Sequence, residues 1–280
     1  MLKYRLISSL VIVPAILAAA FLAPGWILFL VILAFALLGT HEFLAFLEQA
    51  HIRPYKTLVM TGALLYLVGV YASLSVGMMF GPEEVGMSVL VFFVFGACLS
   101  AVFTVESGNP MHGLFSSMGA LLYVPFLMGF FLLLLFDWPA GDGRLLLLYM
   151  LFVVKMTDVG AYFTGSAIGK TKLIPRVSPA KTWEGCAGGV ATALLTSIVF
   201  WWICEGDMRV VHLRWVDAVF LGLGLPILGI LGDLVESMFK RASDVKDSST
   251  LIRGMGGILD ITDSLLFAGP ALYLYARLLL

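Results

Sequence analysis

Nine continuous apolar runs divide this sequence, at roughly 6–22, 26–48, 58–79, 86–104, 114–136, 145–166, 186–204, 216–235 and 262–280. A helix needs about 20 apolar residues to cross the hydrocarbon of a bilayer, and most of these runs reach that length. They are continuously apolar and do not alternate, which selects helices over a transmembrane barrel. Composition agrees: 61% of the residues are hydrophobic and only 12% are charged, against about 25% charged in soluble domains. The mean hydropathy is +1.02. The expectation is an all-α, polytopic integral membrane protein of about nine transmembrane helices. The first run ends in Ala18-Ala19-Ala20, loosely like a signal-peptide cleavage site, but its length and the spans after it favour an uncleaved helix.

Lys and Arg set the orientation. With Lys3 and Arg5 placed in the cytoplasm, alternation puts Arg53, Lys56, Lys170, Lys172, Arg176, Lys181, Lys240, Arg241, Lys246 and Arg253 on the same side, 12 of the 17 basic residues with the N-terminal pair. Arg144, Arg209, Arg214 and Arg277 fall opposite, and Lys155 lies within a span. The N-terminus is therefore expected inside, and the C-terminus outside. Two long inside segments, 167–185 and 236–261, carry most of the polar residues. Residues 1–143 read as transmembrane scaffold, or the wall of a lipid cavity, and 144–280 as the catalytic half with its site at the cytoplasmic face.

Several chemistries are excluded. A net charge of −1 argues against nucleic acid as a partner. Cys98, Cys186 and Cys204 have no zinc-site or disulfide spacing, and His41, His51, His112 and His212 are scattered. No Ser–His–Asp or Cys–His arrangement is visible.

The polar segments point elsewhere. Asp158 follows Lys155 by three residues, on one helical face within a span, where an ionisable residue is costly and usually functional. Gly165-Ser-Ala-Ile-Gly169-Lys170-Thr171 is one residue short of a P-loop and follows a membrane helix instead of a strand. A Gly-rich turn with Lys and Thr nevertheless suits phosphate oxygens. Ser178-Pro179-Ala180-Lys181-Thr182-Trp183-Glu184-Gly185 joins a turn, a cation, hydroxyls and an aromatic ring, which would also serve as an interfacial anchor. Asp233, Glu236, Ser237, Lys240, Arg241 and Asp244 form one stripe if helical; a salt-bridged helix end would look the same. Gly256 and Gly257 allow close backbone approach to a ligand, and Asp260 and Asp263 are an i, i+3 pair at the mouth of the last span. Asp233, Asp260 and Asp263 are hard oxygen ligands of the kind Mg²⁺ takes together with substrate phosphates. Flanking cations would neutralise a triphosphate. The inventory suits metal-assisted phosphoryl or nucleotidyl transfer by direct displacement.

Ser237-Met-Phe-Lys240-Arg241, then Lys246-Asp247, then Gly256-Gly257-Ile-Leu-Asp260-Ile-Thr-Asp263 resembles the signature of phosphatidate cytidylyltransferases (CDP-diacylglycerol synthases). Asp158…Ala161-Tyr162…Gly165…Gly169-Lys170, Ser178-Pro179…Lys181-Thr182-Trp183-Glu184-Gly185 and Gly232-Asp233…Glu236-Ser237 also look like that family. The likeness covers about residues 150–265 by motif. It implies that CTP and phosphatidate give CDP-diacylglycerol and pyrophosphate, with the lipid phosphate attacking the α-phosphorus. It further implies Mg²⁺ or Mn²⁺ on Asp233, Asp260 and Asp263, with Asp247 assisting, and phosphates held by Lys240, Arg241 and Lys246. Asp158, Lys170, Ser178, Lys181 and Thr182 would shape the nucleotide side, with Glu184, Glu236, Ser237, Arg253, Gly256 and Gly257 among the substrate-binding residues. A monovalent cation beside the divalent one, a homodimer and an inner-membrane location are further implications. Three positions depart from the family pattern: Met255 stands for a His, Ile261 for an Arg, and Arg253 for a Pro or small residue, so that Arg253 would partly replace the missing cation.

Two rivals remain at this level. A CTP-dependent kinase of a polyprenol-type lipid alcohol would use the same surface, nucleotide and metal. An ion-coupled transporter would exploit Glu42, Lys155 and Asp158 in or near the membrane, but no two-fold repeat is visible and charge gathers at one surface.

Overall fold

The computed structural model describes residues 22–77, 79–104, 109–138, 141–204, 211–243 and 256–280. Among these residues the chain forms eight long helices. They are α1 (Gly25–Gln49), α2 (Lys56–Val76), α3 (Pro82–Phe103), α4 (Pro110–Phe136), α5 (Asp142–Ile168), α6 (Trp183–Cys204), α7 (Trp215–Ala242) and α8 (Ile258–Leu279). Seven of them, α1 to α7, are long and apolar enough to cross a membrane by length and composition. The expected span at 6–22 lies outside the described residues, so the count of nine stands as an expectation. The all-α polytopic class is borne out.

Local chemistry places the ends. Pro82 and Pro110 open α3 and α4 at the first turn, where a missing N–H costs nothing. Asn109 caps α4 by accepting the Met111 N–H at 3.1 Å. Glu84 reaches back to the Gly81 N–H at 2.6 Å. Pro125 lies inside α4 and is absorbed by a π-helical turn, Leu122–Phe126.

The described residues form two compact units. The first comprises residues up to Phe136 together with Ala242–Ile261. Its centre is aliphatic and aromatic, with Phe43, Phe46, Leu67, Leu121, Val124 and Leu132 all buried. Two polar groups of α1 face the later segment. The buried carboxylate of Glu42 accepts the N–H groups of Ile258 at 3.1 Å and Leu259 at 2.8 Å. The Phe46 carbonyl accepts the Ser243 hydroxyl at 2.9 Å.

The second unit comprises Asp137–Arg241 and Thr262–Leu280. Its tightest pairing is α5 against α6, built on small residues. A Cβ added at Gly160 would strike Thr192, one at Gly188 would strike Thr164, and one at Gly189 would meet the Thr157 carbonyl and Ala161. Lipid supplies no hydrophobic drive between helices, so close backbone approach over Gly and Thr provides the packing energy. Between these helices the chain forms an element the sequence reading did not anticipate, a hairpin of β1 (Lys172–Ile174) and β2 (Ser178–Thr182). Pro175 follows Ile174 in its turn, which closes through the Val177 N–H on the Ile174 carbonyl at 3.1 Å.

Replacing Gly188 with Leu would force α5 and α6 apart. Overpacking of this kind costs about 1–3 kcal/mol, so Gly188→Leu should lower the melting temperature in detergent by several degrees. Gly119→Leu, at a glycine with no atom within 4 Å of an added Cβ, should leave it nearly unchanged.

Candidate active site

Three carboxylates of the second unit converge. One oxygen from each of Asp233, Glu236 and Asp263 lies within 4.8 Å of the other two. Asp233 and Glu236 are one turn apart on α7, and Asp263 stands on α8. Gly232 makes the approach possible, because a Cβ there would strike the Asp263 carbonyl; Gly229 similarly lies against Val154 and Ser264. Glu236 is 1% exposed and Asp263 6%. Carboxylates this buried need compensating charge. Lys240 pairs with Glu236 at 2.5 Å and Lys181 with Asp233 at 2.7 Å. Ser237 donates to Asp233 at 3.3 Å, and the Ser264 N–H to Asp263 at 2.5 Å. Lys155 donates to the Ser264 hydroxyl at 3.1 Å and sits 3.7 Å from Asp158.

The depth of the cluster follows from helix geometry. At 1.5 Å per residue, the 28 residues of α7 span about 42 Å, against about 30 Å of hydrocarbon. Asp233 lies nine residues before its end, or about 14 Å. A helix of that length spanning a bilayer with Trp215 at one interface would hold Asp233 at about the opposite hydrocarbon boundary, the level of lipid headgroups. Asp158 is similarly ten residues from the end of α5.

The hairpin closes over this region through three ties. Lys181 reaches Asp233 from β2. Arg241 donates through Nε to the Val177 carbonyl at 3.3 Å. Glu184 accepts the N–H groups of Lys170 at 3.2 Å and Thr171 at 3.1 Å. In the turn expected to suit phosphate, the N–H groups of Lys170 and Thr171 are thus bonded to Glu184, that of Gly169 goes to the Gly165 carbonyl at 3.0 Å, and Gly165 lies inside α5; the Lys170 side chain is exposed. Thr182 is buried and accepts the Gly185 N–H at 3.1 Å, capping α6. Ser178 opens β2 and is half-buried.

The expected site residues therefore divide. Asp233, Asp263, Glu236, Ser237, Lys240 and Lys181 come together, with Asp158 linked through Lys155. Glu236, read in the sequence as a substrate residue, stands inside the carboxylate group. Asp260, read as a metal ligand, accepts the Gly257 N–H at 2.6 Å in the first turn of α8, the back half of a capping box. Gly256 has φ +88°, and a Cβ there would strike the Asp260 carboxylate. The paired glycines thus have a conformational reason to be there. Lys246, Asp247 and Arg253 lie outside the described residues, as does Met255. The sequence reading missed the part played by Ser264, which receives the Lys155 ammonium beside Asp263.

Oxygen-only donors suit Mg²⁺ or Mn²⁺ over zinc or copper. Mg²⁺ holds its ligands at about 2.1 Å, so opposed ligands lie about 4 Å apart. The trio's oxygens gather within 4.8 Å of one another, and its donor set fits a divalent ion.

The profile of the cytidylyltransferase family matches residues 3–279. Phosphatidate cytidylyltransferase of Haemophilus influenzae is 38% identical over 284 residues, covering 96% of each chain. The protein of the same description from Pseudomonas aeruginosa is 37% identical, covering 96% of this chain and 95% of its own. That of Bacillus subtilis is 44% identical over 131 residues, 47% of each chain.

The glycine turn gives a test of this geometry that is independent of turnover. A side chain in the left-handed region costs about 1–2 kcal/mol. Gly256→Ala adds a clash with Asp260 and should lower the melting temperature, whereas Gly224→Ala, with nothing within 4 Å, should leave it unchanged or raise it slightly through helix propensity.

Proposed function

The chain belongs to the cytidylyltransferase family, and on that premise we propose that it is a phosphatidate cytidylyltransferase of phospholipid biosynthesis. It transfers the CMP moiety of CTP to phosphatidate, giving CDP-diacylglycerol and pyrophosphate. The observation that carries the reading at the level of chemistry is the trio of half-buried Asp233 and buried Glu236 and Asp263 with Lys181 and Lys240 on its carboxylates.

A phosphate oxygen of the lipid attacks the α-phosphorus of CTP, a new P–O bond forms in line, and the bond to the β-phosphate bridging oxygen breaks. The electron pair leaves with pyrophosphate. Most of the catalysis is positioning and charge stabilisation. Asp233, Glu236 and Asp263 would hold Mg²⁺ or Mn²⁺, which neutralises triphosphate charge when bound. Carboxylates so engaged would release Lys181 and Lys240 to phosphate oxygens, each ammonium moving only one contact away. Arg241 orders the hairpin through Val177 and offers its remaining donors to the same phosphates. Asp158, Lys170 and Ser178 are assigned to the nucleotide side. Asp260, Asp247, Lys246 and Arg253 are assigned by their motif, the two aspartates to the metal and the two cations to phosphates. The diacyl tails stay among the helices, with residues 1–143 as a wall of the lipid cavity.

The named relatives are bacterial, and the basic residues favour one side. We therefore assign the protein to the inner membrane, its site facing the cytoplasm where CTP is supplied. The depth of the cluster supports a lipid phosphate as acceptor, because that group rests at the hydrocarbon boundary and need not be lifted out.

Detergent-purified protein given labelled CTP, phosphatidate and Mg²⁺ should yield CDP-diacylglycerol and equimolar pyrophosphate. Asp263→Asn should reduce turnover at least about 100-fold with the protein still folded, and chelation of the divalent ion should abolish it. Release of CDP with a phosphorylated lipid alcohol would establish a kinase instead. Full turnover in Asp263→Asn would remove the metal assignment.

A further inference from the structure

Lys155 is a cation of the second unit, beside its carboxylates, that the proposed reaction leaves unused. It stands within a membrane helix, thirteen residues before the end of α5 at Ile168, or about 20 Å. An ammonium at such a level is costly and marks function by default. Lys181 and Lys240 are committed to carboxylates, at 2.7 and 2.5 Å. Lys155 is held differently. It donates to a neutral hydroxyl, that of Ser264, at 3.1 Å. The carboxylate of Asp158 is 3.7 Å away, beyond good hydrogen-bond reach. An ammonium has three donors, so among the described residues Lys155 retains donors for an incoming group. Its side chain is 39% exposed, so such a group can reach it.

The helices give this region a direction. Its hairpin end is marked by Lys181 on Asp233 and by Arg241 on the Val177 carbonyl. Counting inward along α7 from that end come Lys240, Glu236 and Asp233, so Lys240 lies seven residues outward of Asp233, about 10 Å. Glycine contacts register the other two helices against α7. Gly232 lies against Asp263, whereas Gly229, one turn further inward, lies against both Ser264 and Val154. Val154 precedes Lys155 directly, so the backbone of Lys155 stands about 6 Å inward of Asp233. Lys181 and Lys240 thus meet the carboxylates from the hairpin side, and Lys155 stands on their inner side.

An in-line displacement puts the attacking oxygen and the leaving group on opposite sides of the phosphorus. Pyrophosphate leaves toward water, on the side of the hairpin and its lysine. The attacking oxygen then arrives from the inner side, where a lipid is the solvent-borne reactant. We propose that Lys155, aimed by Ser264, binds the phosphomonoester of the lipid acceptor on the inner side of the carboxylates. The proposal rests on the assigned reaction and adds to it the group that recognises the acceptor. A phosphomonoester has three terminal oxygens, so one can attack while another accepts from the ammonium. Lys155→Met keeps the length of the side chain and removes its charge. Lys155→Arg keeps the charge in a different shape. Ser264→Ala keeps the charge and removes the hydroxyl that aims it.

The test uses full-length protein in detergent–lipid mixed micelles with two readouts. One is turnover per folded molecule as the mole fraction of phosphatidate and the concentration of CTP are varied separately. The other, without CTP, is the rise in melting temperature given by phosphatidate over phosphatidylcholine. In Lys155→Met the phosphatidate mole fraction for half-maximal rate should rise about tenfold, the loss expected for one hydrogen bond between charged groups, with KM for CTP changed less than about twofold. The thermal effect of phosphatidate should shrink with it. Lys155→Arg should fall between this variant and the parent, and Ser264→Ala should raise the phosphatidate requirement about threefold. Should Lys155→Met fail to fold, the other two variants decide by the same split. A raised KM for CTP with an unchanged phosphatidate requirement overturns the proposal and gives the ammonium to the triphosphate. A lower kcat with both requirements unchanged overturns it too, leaving Lys155 a structural tie between α5 and α8. A parent protein that makes no CDP-diacylglycerol sinks the assigned reaction instead. The thermal readout then decides the role of Lys155 alone: a phosphatidate effect lost in Lys155→Met upholds it, and an equal effect in both, or none in either, overturns it.

Discussion

A carboxylate at the edge of a bilayer cannot be left without compensation, and much of the second unit is arranged around that requirement. Desolvating even one such charge costs several kcal/mol. Asp233, Glu236 and Asp263 bring three within a few ångströms. Lys240 answers from one turn along the same helix, and Lys181 from a hairpin that the chain interposes between two membrane helices. The hairpin is in turn held by Glu184 and Arg241. Removing the acidic group would leave these cations without a reason to be half-buried; removing the cations would leave the acids unaffordable. Mutual neutralisation of this sort is also poised chemistry, because a divalent ion can displace the ammonium groups without changing the sign of the balance.

The same requirement bears on the first unit, where the buried Glu42 carboxylate accepts two backbone N–H groups. Two N–H donors at a helix start are a partial positive pole. They stabilise one carboxylate, whereas in the second unit a cluster of three is met by lysines. This difference removes the motive for reading Glu42 as part of an ion pathway, since its oxygens are committed to Ile258 and Leu259.

How much of this was legible in the sequence varies with the kind of signal. Helical spans were readable because hydropathy reports them directly, and α1 to α7 fall where the apolar runs lie. The stripe on α7 was readable because a helical period of 3.6 fixes which side chains align, so Asp233, Glu236, Ser237 and Lys240 could be grouped before any coordinates. The pairing of Asp233 with Lys181 was not, since it joins two helices and a hairpin that no periodicity encodes. The hairpin itself was hidden by its shortness and by Pro175 and Pro179, which read as loop. Glycines misled in one instructive way. Gly256 was visible as permissive backbone, but whether that freedom serves a ligand or a turn is decided only by its φ and by the Asp260 carboxylate beside it.

Depth is the property that sequence expresses least and that binds site to reaction most closely. The two substrates assigned here have opposite habits: CTP carries its charge in water, and phosphatidate keeps its tails in hydrocarbon with its phosphate at the boundary. A site in the aqueous phase would have to extract the lipid, and one at the bilayer centre would have to bury a triphosphate. Helices of 27 and 28 residues are longer than the about 20 that would cross the hydrocarbon layer, and in the proposed reading that excess would let the carboxylates sit at the boundary while the exposed Lys170 and the hairpin extend beyond it. In that arrangement neither substrate leaves its own solvent before the reacting oxygen meets the α-phosphorus. In the proposed reaction the excess helix length would thus matter as much as the acids it carries.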